Sequence, residues 1–116
     1  MKYAIPVDDD QKSVCVSFGR APFFMIWDSD QKEAVCHANP AAEAQSGAGV
    51  RAAQFVADQQ VQGLITVRCG ENAAEIMQAA DIKILKAQGT DALWNAENCE
   101  KLEELTHFHG GYYGGR

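Results

Sequence analysis

Residues 63–85 read GLITVRCGENAAEIMQAADIKIL, and this stretch decides the fold. Gly63 to Val67 is a short apolar run, the pattern of a buried strand. Asn72 and Glu75 stand three residues apart, the spacing of a capping box, and predict a helix with Ile76, Met77 and Ala80 available for the core. Ile82 to Leu85 returns to strand character. Strand, helix and strand in succession form a right-handed crossover unit, which feeds parallel strands.

Downstream, Gly89-Thr90 caps a third helix carrying Leu93 and Trp94. Upstream, Val50, Ala53, Val56 and Ala57 recur at helical spacing and predict a helix from Val50 to Gln60. A small-residue loop, Ala41 to Gly49, leads into it, and Asn39-Pro40 stops the element before that. Residues 33–38 read as a strand returning from a turn at Asp28 to Gln31. Their partner, Phe23 to Trp27, is apolar on both faces, as an interior strand is. Residues 2–7 form the first strand, with Tyr3, Ile5 and Val7 on one face, and Asp8-Asp9-Asp10 opens a polar loop to Arg20. The order is β-β-β-α-β-α-β-α. An antiparallel hairpin followed by parallel strands requires a mixed sheet in one α/β domain. Residues 1–106 are assigned to that domain, and the Gly/His/Tyr-rich residues 107–116 to a flexible tail.

Composition narrows the function. A chain of 116 residues is the size of one domain and can bury one core without staples. It has 10 Lys plus Arg against 16 Asp plus Glu, a net charge of −6. Affinity for nucleic acid rests largely on counterion release to basic side chains, so nucleic acid is not an expected partner. No apolar run approaches the ~20 residues that span a bilayer, so no membrane association is expected. The N-terminus turns acidic too early for a secretory signal, and a cytoplasmic location is expected. Four cysteines, Cys15, Cys36, Cys69 and Cys99, would stay reduced there, and none has the Cys-x-x-Cys spacing of zinc or ferredoxin sites. Gly-x-Ser-x-Gly, phosphate-loop and His-Glu-x-x-His motifs are absent. The three aspartates do not make a two-metal nuclease, because the fourth strand ends in Val67-Arg68-Cys69 with no carboxylate.

Four segments together resemble the dinitrogenase iron–molybdenum cofactor biosynthesis family. They are Phe18-Gly19-Arg20-Ala21-Pro22-Phe23-Phe24; Asn39-Pro40 with Ser46-Gly47-Ala48-Gly49 and Ala52-Ala53-Gln54; Cys69-Gly70-Glu71-Asn72-Ala73; and Asp81-Ile82-Lys83-Ile84 with Gly89-Thr90. The resemblance covers about residues 1–98. It implies a ribonuclease-H-like, three-layer α/β/α fold with a five-stranded sheet of order 3-2-1-4-5, strand 2 antiparallel to the rest. It also implies a small non-enzymatic carrier of iron–molybdenum cofactor or another metal–sulfur cluster, exchanging it with a donor or acceptor protein. Many relatives carry a histidine where this chain has Ser17, and Cys15, two residues earlier, is the candidate substitute.

That sheet order gathers the loops after strands 1, 3 and 4 at one edge. Ligands of open α/β sheets bind there, near the switch point. Cys15, Ser17, Arg20, Gly47, Gly49, Cys69 and Asn72 are therefore the candidate cofactor-binding residues. Gly47 and Gly49 either let a helix N-terminus approach an anion or only permit a tight loop. Cys69 precedes a helix N-terminus, a place that favours the metal-ligating thiolate, although it equally suits a small buried hydrophobe. Cys15 is the second candidate cluster ligand. Arg20 pairs either with an acidic ligand or with Asp8 to Asp10. Cys36 and His37 are neighbours on a strand and point to opposite faces, so they do not grip one metal, and Cys36 reads as core. His107 and His109 share a side of an extended segment and are further candidate metal ligands. Two other readings stay open: an interaction domain that no longer binds a cluster, and an enzyme using a reactive Cys69.

Overall fold

A strand that is apolar on both faces must lie inside a sheet covered on both sides. β1 (Lys2–Val7) and β2 (Phe23–Asp28) meet that description, with residues 4–7 and 24–27 buried. In the computed structural model, which describes residues 1–108, they sit within one five-stranded sheet of order β3-β2-β1-β4-β5. The other strands are β3 (Glu33–Ala38), β4 (Gly63–Thr66) and β5 (Lys83–Lys86). β2 runs antiparallel to β1 and β3, while β1, β4 and β5 run parallel. The expected order and the reversed second strand are both present.

The helices are α1 (Ala48–Asp58), α2 (Glu71–Ala79) and α3 (Ala92–Glu97). α1 and α2 cover one face through Ala52, Ala53, Val56, Ala73, Ala74 and Met77, packed with Phe24, Ile26 and Leu64. Alanines at four of those six positions keep the helices close to the sheet and to each other. α3 covers the other face, where Ala92 and Ala96 meet Ile5, Val7, Met25, Trp27 and Ile65. Leu64 and Ile65 are neighbours on β4, fully buried and in opposite cores. Each contributes about 1.5–3 kcal/mol of burial free energy.

Local caps shift three helices from their expected positions. α1 begins at Ala48, not Val50, because Gly47 turns left-handed at φ +69° and starts the helix early. α2 is capped by Gly70, and Asn72 lies inside its first turn instead of capping it. At α3 the cap is Asp91, whose side chain accepts from the Trp94 N–H at 3.1 Å. Leu93 and Trp94 lie on this helix as expected; its start places Ala92, Asn95 and Ala96 against the sheet and leaves Leu93 and Trp94 43% and 40% exposed. Ala80, at the C-cap of α2, is also exposed. Asn95 is fully buried but satisfied: its amide accepts from the Gln88 N–H and donates to the Gln88 and Asp91 carbonyls.

The chain then returns along β5. The Lys86 N–H donates to Glu103 O at 2.8 Å and the Leu105 N–H to Ile84 O at 2.9 Å. Leu105 and Phe108 pack against the first core. His109 and the remaining residues of the expected tail lie outside the described residues. Among the described residues, no helix is long and apolar enough to cross a membrane.

Candidate functional site

β1 and β4 are adjacent and parallel, and the order of the sheet turns between them. Their C-terminal ends define the switch point. A crevice of about 450 Å³ opens there. Three segments wall it: Val16 to Gly19 from the β1–β2 loop, Gly47 to Val50 at the start of α1, and Arg68 to Ala73 at the start of α2.

Two helix N-termini therefore share one crevice. Gly47 is the N-cap of α1 and Gly70 the N-cap of α2, and neither helix start is capped by a side chain. First-turn N–H groups lack intrahelical partners and carry the positive end of the helix dipole. Here they belong to residues of the crevice wall. The wall is also short of side chains where the loops meet. A Cβ on Gly19 would lie 2.9 Å from the Gly49 nitrogen and 3.0 Å from its Cα, so only glycine lets the first loop touch α1. A Cβ on Gly49 would meet nothing within 4 Å, because that side of the residue is open.

Of the candidate residues, Ser17, Gly47, Gly49, Cys69 and Asn72 line the crevice. Ser17 and Asn72 are exposed, and the Ser17 hydroxyl accepts from the Arg20 N–H at 3.1 Å. Arg20 is not on the wall. Its guanidinium donates to the Ala42 carbonyl at 3.4 Å and to the Ala44 carbonyl, tying the loop before α1 to the loop after β1. Cys15 is also off the wall; its N–H donates to Pro6 O at 2.8 Å. Burial, and then a hydrogen bond to the Asp8 carboxylate, push its thiol pKa up.

Cys69 is only 2% exposed and belongs to the first core. Its thiol donates to Gly70 O at 3.6 Å. Burial pushes the thiol up to about 12. The sequence position led to the opposite expectation. The helix N-terminus favours the thiolate, but removing the sulfur from water disfavours it more. Cys36 is half-buried toward the second core, and the His37 ring lies 6.3 Å from that of Phe55 on the other face. His107 is exposed. Among the described residues, no three His, Cys, Asp or Glu side chains are placed together to hold a metal ion.

Sequence reasoning missed two residues that shape the crevice. Asn39, buried, donates to Gly19 O at 3.0 Å and Ala21 O at 2.9 Å, and accepts from the Ala41 N–H. It fixes the Gly19 loop against the loop leading to α1. Thr66, fully buried at the end of β4, donates to Arg68 O at 3.0 Å and sets the turn into α2. An asparagine before proline signals a turn, and nothing in that signal reveals burial.

The family model for dinitrogenase iron-molybdenum cofactor matches residues 1–101. No curated protein sequence matches the chain. Among solved structures, the apo form of the orange protein from Desulfovibrio gigas superposes with a TM-score of 0.82 at 24% identity, covering 90% of this chain and 92% of that one. At that identity the likeness speaks for the fold. A Thermotoga protein given a provisional NifB name superposes with a TM-score of 0.73 at 30% identity, covering 92% of this chain and 95% of that one.

Proposed function

This chain belongs to the dinitrogenase iron-molybdenum cofactor family, and from that premise we propose that it is a non-enzymatic carrier that holds an anionic metal–sulfur cluster in the crevice and passes it to a partner protein. The observation that carries this reading is the convergence of two glycine-started helix N-termini on one open crevice. Backbone N–H groups and aligned dipoles suit a compact anion and impose no particular metal geometry. Such binding is reversible, as hand-over requires. Cys69 supplies a thiolate only when an incoming metal displaces its proton, which links loading to proton release. Cys15 lies beside the wall residue Val16 and is the second proposed ligand. A ribonuclease-H-like classification of the fold is part of the same proposal and lends it no chemistry.

The raised Cys69 pKa disfavours a thiolate nucleophile at neutral pH. The test is anaerobic reconstitution with iron, sulfide and molybdate, followed by visible spectra, metal analysis and transfer to a chelator. A charge-transfer band with stoichiometric metal, released to the chelator, supports the carrier. A colourless, metal-free protein overturns it and favours an interaction domain that has lost cluster binding. Loading unchanged in both Cys69→Ala and Cys15→Ala leaves the backbone donors as the whole site and removes the thiols from the proposal.

A further inference from the structure

The two edges of the sheet are treated differently. On β5 the chain's own return segment bonds to Ile84 and Lys86, and lysines stand at both ends of the strand. Such devices guard an edge against pairing. Among the described residues no such segment bonds to the β3 edge, and its one guarding charge is Glu33 at its first position. Its six residues, EAVCHA, hold unbroken register with β2 from Glu33 to Ala38, without proline, lysine or bulge. Val35 is 56% exposed.

The hydrogen-bonding parity of this edge can be worked out. The Asn39 N–H donates to Pro22 O at 3.0 Å, continuing the register in which Ala38 faces Phe23. In an antiparallel ladder, bonded and non-bonded pairs alternate. Glu33, Val35 and His37 thus bond inward to β2, and Ala34, Cys36 and Ala38 turn their N–H and C=O groups outward.

We propose that this edge pairs with the same edge of a second copy, antiparallel across a two-fold axis at Val35, joining two sheets into one. Only outward-bonding residues can face each other as bonded pairs, so a one-residue shift is excluded. With the axis at Val35, Ala34 exchanges hydrogen bonds with Cys36 of the second copy. Val35 then faces its own counterpart, and Glu33 faces His37 on both sides of the axis. These are non-bonded pairs, in which side chains approach closest. Aliphatic meets aliphatic and carboxylate meets imidazole. A two-residue shift either way sets Val35 against His37 or Glu33 and loses both matches.

Sedimentation equilibrium up to about 1 mM protein tests the pairing. The weight-average mass should rise from the 12.6 kDa of one chain toward twice that value. Val35→Lys, at an exposed position, should hold it at one chain with folding unchanged. Glu33→Lys should weaken association roughly tenfold, and adding His37→Glu to the same chain should restore it. Under mild oxidation, Val35→Cys should cross-link through position 35 on both chains. A wild-type mass fixed at one chain overturns the proposal, as does a dimer that survives Val35→Lys.

Discussion

Replacing Gly49 by aspartate separates the stability of the crevice from its use. The open side of Gly49 offers no steric obstacle, since an added Cβ would meet nothing within 4 Å. The residue is second in α1, so removing a helical glycine and adding a carboxylate in the first turn both favour the fold. The first gain is limited by the modest propensity of aspartate; the dipole gain is about 0.3–1 kcal/mol. Denaturant melting should therefore show equal or higher stability. Binding should move the other way. A carboxylate on the wall, about 5 Å from one negative charge of a bound cluster, costs roughly 3 kcal/mol at an effective dielectric near 20. That is about 100-fold in affinity, and more for a multiply charged cluster. Gly49→Ala, which adds the same Cβ without charge, is the control. Titration of molybdate–sulfide clusters into the three proteins, followed by visible absorbance, measures the difference. If Gly49→Asp binds within threefold of Gly49→Ala, the cargo is not held by helix N-termini in this crevice.

Gly19→Ala should destabilise the fold by about 1–3 kcal/mol in denaturant melts, because its Cβ meets the backbone of Gly49 and Ala48 at 2.9–3.2 Å. Asn39→Ala should cost about 2–3 kcal/mol by the same measurement and reduce cluster loading, because it leaves the carbonyls of Gly19 and Ala21 and the Ala41 N–H without their partner. At neutral pH, iodoacetamide should label Cys69 in the native protein ~1000-fold more slowly than after unfolding, because a thiol pushed up to about 12 is protonated where an ordinary one is partly ionised. The same thiol makes stability depend on alkaline pH. Below pH 9 both states keep it protonated; between about 9 and 12 only the unfolded chain ionises, so stability falls as pH rises through that window. Tyr3, pushed up to about 12 chiefly by burial, adds to the upper part of that fall, and comparison with Cys69→Ala isolates the thiol.

Element order, the buried hairpin strand and the crossover were all legible in the chain, because each rests on periodicity among near neighbours. Tyr3, Ile5 and Val7 share a face for the same reason, and Cys36 and His37 point apart. The sequence alone therefore determined an α/β domain with a mixed sheet. Tertiary structure decided the rest, where outcomes depend on residues far apart in the chain. Helix starts moved by one or two residues because left-handed Gly47 and the Asp91 cap outweighed apolar spacing. That shift exposed Trp94 and brought Gly49 into the first turn of α1. Arg20 found the carbonyls of Ala42 and Ala44, not an acidic partner, because the two loops fold together. Only packing put Cys69 out of reach of water, reversing the pKa direction that its place before a helix had implied. The crevice itself is a long-range object: residues 16–19, 47–50 and 68–73 meet because the sheet order turns between β1 and β4, and no local pattern in the chain records that meeting.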